Sequence, residues 1–497
     1  MHRFSINCKV DSVCNELSTP SGRAEALRAF RRLGVKKVWL ETYRNRNFVP
    51  APLLAEIKEA LVSGGFETGA VIVPTRMSER PSSGWDSATC FTDPAASAKM
   101  AEVVTRSATL FDSLLFDDFL FTDCRCTECE ARRGKRSLAD FRSELLADVI
   151  RECIVKPARK TNPKVRLIVK YPCWYESYHE NGYSLLTDNE LFDAVWAGNE
   201  TRTPDVPQSK AFWIQRWLGN SGKCEGGWFD PLSCPPEIYV EQARNTILGG
   251  ARESLLHCYD YLYLSSKAFA QDGGSLKVVN DGGCAEALER ELPGLRRLAG
   301  LVEDMEPYGV KSLKRPDADP VSDIGLHPWF NMGGIPLTAE TRTGTPASTL
   351  FTSHAAAFPE IREYIKSLQT KNLPFFLTRN AAETLDFSEE SHLLPTFGSG
   401  PDFLKLPGLD SIRNCLLRPF GIEFHAPPNI SLLLFRDTKR RLQVIQNFND
   451  TETIVELKAS GTRKKHLSLP DEEQAEMLPG GKIRMGKRSL IVVGEEK

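Results

Sequence analysis

Along the first three hundred or so residues, short apolar runs alternate with stretches whose apolar residues recur at helical spacing. The apolar runs predict eight strands, at 4–10, 35–42, 68–74, 113–121, 165–171, 191–198, 226–230 and 255–264. Helical periodicity between them predicts helices at 22–33, 51–63, 95–107, 138–154 and 236–249. Residues 208–218 read either way, because Phe212-Trp213-Ile214 suits a strand. A helix is expected there, since a ninth strand would leave too little chain after Glu200 for a crossover. Strand and helix in alternation predict a parallel sheet, and eight such units predict a (β/α)8 TIM barrel over residues 1–308. An open doubly wound sheet competes, but no glycine-rich phosphate loop follows the first strand.

Near 309–325 the chain turns to Lys, Pro and Asp, which reads as a linker. Beyond it, strands at 348–351 and 375–378 around a helix at 358–369 predict a small α/β domain over 309–404. From 405 to 497 strands dominate, at 430–435, 441–448, 453–458 and 489–493, and an antiparallel β-domain is expected.

A length of 497 residues suits several cores rather than one. The net charge of −2 provides no basic field for nucleic acid or an anionic membrane, so a neutral or small partner is expected. No apolar run approaches the roughly 20 residues needed to span a bilayer. The opening Met1-His2-Arg3-Phe4 lacks the apolar core of an export signal. The expected location is cytoplasmic, or exported with the signal already removed.

Leu114-Leu115-Phe116-Asp117-Asp118-Phe119 carries the most chemistry. An apolar strand ends in two adjacent acids, and alternation sends one toward the barrel axis and the other aside. Acids at the C-terminal mouth of a barrel read as catalytic, although the pair could instead cap a helix near Asp123. Glu41, Glu200 and Asp230 end further strands and place carboxylates around the same rim. Aromatics gather there: Tyr171, Trp174, Tyr175 and Tyr178 after strand five, Trp196 and Trp228 on strands six and seven, and Tyr259, Tyr261 and Tyr263 on strand eight. Flat aromatic faces bind the C–H faces of sugars, while acids, Arg and Lys bind hydroxyls. Glycoside chemistry needs two carboxyl groups, and adjacent acids raise one another's pKa so that one stays protonated. The expected catalytic pair is Asp118 or Asp117 with Glu200 or Asp230. Lys170, Tyr171 and Glu41 would orient hydroxyls, with Trp174, Trp228 and Tyr259 as further substrate contacts.

Of thirteen cysteines, Cys124, Cys126 and Cys129 form a C-x-C-x2-C cluster. Three thiolates this close can fill three corners of a tetrahedral zinc site, with Cys90 as fourth ligand; packed buried thiols are the alternative. A strand-four acid followed within ten residues by this cluster, with an earlier cysteine from the strand-three loop, resembles the glycoside hydrolase family 42 β-galactosidases. That resemblance implies a barrel, an α/β trimerisation domain and a C-terminal β-domain, hence a homotrimer. The family has Asn-Glu where this chain has Asp117-Asp118, and a strand-seven Glu nucleophile where this chain offers Asp230. The acid pair is also similar to that of family 84 N-acetylglucosaminidases, and a strand-four Asp with Glu200 to the retaining α-galactosidase clan. The expected protein is an exo-acting, retaining glycoside hydrolase with a structural zinc and no organic cofactor. Its expected substrates are oligosaccharides or glycans ending in galactosides or N-acetylhexosaminides. A non-catalytic carbohydrate-binding barrel is the rival.

Overall fold

The computed structural model describes residues 2–264, 283–319, 322–459, 461 and 463–495. The first sheet holds eight parallel strands, β1 (Arg3–Cys8), β2 (Val35–Arg44), β3 (Glu67–Ile72), β4 (Ser113–Phe116), β5 (Arg166–Tyr171), β6 (Ala194–Gly198), β7 (Cys224–Phe229) and β8 (Glu253–Leu256), and a two-residue antiparallel strand, Asn47–Phe48, beside β2. β1 pairs with both β2 and β8, which closes the barrel. Helices return the chain between strands, and several start on side-chain caps. Thr19 accepts from the Gly22 N–H ahead of Pro20–Arg32, and Asp93 from the Ala95 N–H ahead of Pro94–Leu110. Residues 208–218 fall largely within the helix Lys210–Ser221, as expected.

One face of the strands fills the barrel. Trp39, Val71, Leu115, Ile168, Trp196, Trp228 and Leu255 make one buried interior cluster. Trp39 and Trp196 meet edge to face with centroids 5.6 Å apart. Neighbouring strands carry glycine where these rings need room. A Cβ on Gly69 would lie 2.5 Å from the Trp39 ring, and one on Gly226 would lie 2.4 Å from that of Trp196. Trp196, expected at the mouth, is thus part of a packed floor, and polar chemistry is displaced to the C-terminal end.

Strand eight ends earlier than the tyrosine alternation suggested. Tyr259–Tyr263 is a helix, because Asp260 accepts from the Lys9 N–H at 3.2 Å and from the Ser12 hydroxyl at 2.9 Å. These tertiary hydrogen bonds outweigh the strand preference of tyrosine.

After the barrel, β9 (Glu306–Tyr308) pairs antiparallel with a strand of the terminal domain, so the chain enters that domain before the small one. β10 (Val310–Leu313), β11 (Leu337–Glu340), β12 (Thr349–Phe351) and β13 (Phe375–Leu377) form a parallel sheet in the order β11-β10-β12-β13. β10 lies in the stretch read as a linker. Its lysines gave a polar signature, yet Lys311 pairs with Glu340 and the buried Lys314 with Glu176, each at 3.8 Å. The remaining strands, from Ile422 to Glu495, form antiparallel sheets. The small sheet docks on the barrel through His354, whose Nε2 lies 2.8 Å from a Glu176 carboxylate oxygen on the loop after β5.

Candidate active site

Alternation along the strands brings one polar layer to the mouth. It comprises Asn7 on β1, Glu41 on β2, Asp117 just past β4, Lys170 on β5, Glu200 past β6, Asp230 past β7 and His257 past β8. The Lys170 ammonium is its hub. Nζ lies 2.7 Å from Asp118 Oδ2, 2.6 Å from Glu200 Oε1 and 3.8 Å from Asp117 Oδ1. The same Nζ sits 4.4 Å from the centre of the Trp228 ring. Burial works to lower the Lys170 pKa, but the carboxylates of Asp118 and Glu200 outweigh it and hold the ammonium charged.

The carboxyl groups differ sharply in their surroundings. Asp117 is 2% exposed and accepts from the Asp118 N–H at 2.8 Å. Burial and the adjacent Asp118 charge push its pKa up to about 8. Glu200 is also raised, by burial, with Lys170 and Arg202 partly offsetting it. Its Oε2 is buried and has no hydrogen-bond partner among the described residues. Asp118 is the more accessible, with 21% of its side chain exposed.

Glu41 and Asp230 are saturated. Glu41 accepts from Arg44 at 2.9 and 2.7 Å, from Asn7 Nδ2 at 3.1 Å and from the Val10 N–H at 3.0 Å. Burial opposes its ionisation, yet Arg44 holds the carboxyl below the usual range. Arg202 grips Asp230 through both oxygens at 2.8 and 2.7 Å, and the Leu232 N–H adds a bond of 3.1 Å. His257 stacks on Trp228 at 4.6 Å, and burial together with Arg44 keeps it neutral.

Several aromatics lie elsewhere than expected. Tyr171 neighbours the inward Lys170 and therefore points outward, fully buried against Tyr178 and Tyr183 and bonded to Asp188. Tyr259 meets Phe30 edge to face in the outer helical layer, 5.3 Å between centroids. Trp228, at 1% exposed, is floor beneath Lys170 rather than a face open to ligand. Trp174 is half-buried, edge-on to Phe121, Tyr178 and Tyr183. Sequence reasoning missed Arg44, Arg202 and His257, although each follows a strand-end residue it had marked by three residues or fewer or closes the last strand. It also missed Trp85, a lone tryptophan in a Ser-Ser-Gly loop.

Beside the mouth, Cys90, Cys124, Cys126 and Cys129 gather so that their sulfurs all lie within 4.8 Å of one another, a group able to hold a metal ion. Cys90 Sγ is 3.9 Å from that of Cys126 and 3.7 Å from that of Cys129.

Residues 1–277 match the family described as "Probable glycosyl hydrolase, catalytic domain". The chain belongs to that family, and its barrel is a glycoside hydrolase catalytic domain. An uncharacterised protein of Saccharolobus solfataricus is 26% identical over 228 residues, 40% of this chain but only 38% of that relative. The β-galactosidase of Bacillus circulans sp. alkalophilus superposes with a TM-score of 0.66 at 10% identity, covering 100% of this chain and 99% of that one. A family 42 β-galactosidase of G. stearothermophilus gives 0.64 at 10% identity, covering 100% and 98%. The described residues therefore share the fold of the family 42 enzymes. Among the described residues no helix is long and apolar enough to cross a membrane.

Proposed function

We propose that the protein is an exo-acting, retaining glycoside hydrolase that cleaves terminal galactosides or N-acetylhexosaminides, with Asp118 as nucleophile and Glu200 as acid and base. The observation that carries this reading is the single Lys170 ammonium held between Asp118 and Glu200. Oxygens bonded to one nitrogen can be no farther apart than the two bonds laid end to end. That brings the two carboxyl groups close enough to act on one glycosidic bond, and a retaining pair, about 5–5.5 Å apart, is the arrangement we propose.

Asp118 is accessible and paired with Lys170, so its carboxylate can attack the anomeric carbon. Glu200, its pKa raised by burial, can keep a proton on the unpartnered Oε2 and deliver it to the departing oxygen. The same carboxylate then takes a proton from the water that releases the sugar. Asp117, its pKa pushed up to about 8 by burial and the neighbouring Asp118, holds a proton at neutral pH and takes no part in the attack.

A panel of α- and β-nitrophenyl glycosides, with and without the 2-acetamido group, tests the reading. Hydrolysis with retained configuration, abolished by Asp118→Asn, supports it. Sugar binding without turnover on any member would favour the carbohydrate-binding barrel instead.

We also assign the cysteine cluster to a structural zinc. A tetrahedron with Zn–S arms of about 2.3 Å has edges near 3.8 Å, which the 3.9 and 3.7 Å sulfur separations match. Four thiol donors leave no position for water, so the ion would brace the loop after Asp118. Elemental analysis of protein purified without chelator should find one zinc per chain, lost in Cys126→Ser; a metal-free wild type would leave packed thiols. The small α/β domain, placed as in the family 42 fold, supports a homotrimer, and light scattering at the 55.5 kDa monomer mass would remove that assignment.

A further inference from the structure

Trp85 is the only tryptophan among the described residues with a largely open ring, at 47% exposed. Its loop is tied down by hydrogen bonds. Its backbone N–H donates to Asp123 Oδ2 at 2.6 Å, and the Ser82 hydroxyl donates to Oδ1 of the same carboxylate at 2.8 Å. A Cβ on Gly84 would lie 2.3 Å from that carboxyl, so only glycine permits the approach. Ser83 lies 3.5 Å from Cys124 Sγ through both its N–H and its hydroxyl, and the Arg125 N–H donates to the Ser83 hydroxyl at 2.6 Å. The Trp85 loop is thus stitched to the cysteine loop.

Two phenylalanine rings flank the indole. It stacks on Phe119 at 5.1 Å and 25°, and runs parallel to Phe121 within 5° at 6.2 Å. Phe119 directly follows Asp118 and packs against the interior cluster of the barrel. Phe119 thus ties the indole to the residue next to Asp118, and nearly half of Trp85 stays open to solvent.

We infer that the open part of this indole is the platform of a leaving-group subsite, taking the sugar ring on the reducing side of the bond being cleaved. The inference rests on the glycosidase reading above and extends it to substrate class: oligosaccharides rather than simple alkyl glycosides. Glu200, Lys170 and Trp228 are 5% exposed or less, so the terminal sugar is held at depth and the next ring meets the rim. A flat apolar face suits the C–H face of that ring, and the bulk of Trp85 supplies it without a charge to match.

The test compares Trp85→Ala and Trp85→Phe with wild type on two substrates of the sugar selected by the panel: a disaccharide and the glycosyl fluoride, which has no second ring. Trp85→Ala should lower kcat/KM on the disaccharide about 30-fold and on the fluoride less than about 3-fold, with Trp85→Phe recovering most of the loss. Equal losses on both substrates, or none on either, overturn the subsite; thermal melts report whether Trp85→Ala has merely lost its fold. If wild type hydrolyses nothing, the hydrolase reading falls separately. The same variants are then titrated calorimetrically with galacto- and chito-oligosaccharides. Weaker binding by Trp85→Ala, restored in Trp85→Phe, retains the platform, whereas wild-type affinity in Trp85→Ala, or no binding by wild type, removes it.

Discussion

Strands four and six and strands two and seven all end in carboxylates, yet the two halves of the rim treat them differently. Glu41 and Asp230 each face an arginine in two-point contact and accept further N–H bonds, so their lone pairs are filled within the protein. Asp118 and Glu200 share one lysine, and Glu200 keeps an oxygen with no partner among the described residues. A carboxylate saturated by its neighbours orients them; one left short of partners in a buried site is held ready for a ligand or a proton. Position at a strand end selects candidates, and hydrogen-bond accounting divides them.

The comparison breaks or holds first on Asp118. Asp118→Asn should reduce turnover at least about a thousandfold with little change in fold, since the amide cannot attack. Added azide should restore turnover of an activated substrate and give the glycosyl azide of opposite configuration. An active Asp118→Asn enzyme moves the chemistry to the other half of the rim.

Glu200→Gln should cost about 10²- to 10³-fold on a disaccharide, which needs its leaving oxygen protonated. On the glycosyl fluoride, whose leaving group needs no acid, the first step should lose far less. Equal losses on both would make Glu200 a partner for Lys170 and nothing more.

For the other half, Asp230→Asn should leave turnover within about tenfold of wild type while lowering stability by about 2 kcal/mol, because it strips the partly buried Arg202 of its anion. Thermal melts and kinetics on the same preparation decide it. A collapse of turnover that azide rescues would instead make strand seven the nucleophile strand, as in family 42.

Much of this arrangement was legible beforehand, for reasons particular residues make plain. Strand and helix alternation survives because each barrel strand buries one face inward and one against helices, as Leu115 and Leu114 do. The acid pair was readable because nothing apolar explains two aspartates ending such a strand. Side-chain direction after the strands was not. Tyr171 and Tyr259 were assigned to the mouth by proximity in sequence, but one residue of parity and one helical turn carry them to the outer layer. The pairings of Arg44 and Arg202 depend on loop geometry that no periodicity encodes. The charge of Lys311 and Lys314 likewise disguised a core strand as linker, because their partners come from distant segments.

The smallest effect concerns the acid that does not reach the substrate in this scheme. Asp117 has an ordinary pKa of 3.8 and is raised to about 8 in the fold, chiefly by burial and then by Asp118. Between those values the native state holds a proton that the unfolded chain has released. Stability must therefore fall as pH rises through that window and level off above it. Asp117→Asn is uncharged at every pH and escapes this penalty. The variant should consequently gain on wild type in melting temperature as pH goes from about 4 to 8, with the difference constant beyond about pH 9. Asn also keeps an oxygen to accept the Asp118 N–H, so the backbone turn past β4 is retained. Paired melts at unit pH intervals measure the difference directly. A gap that does not change with pH would mean that Asp117 is ionised in the native protein. Asp118 would then share its site with a second charge, and the division between a proton-bearing and a charged member of the pair would be lost.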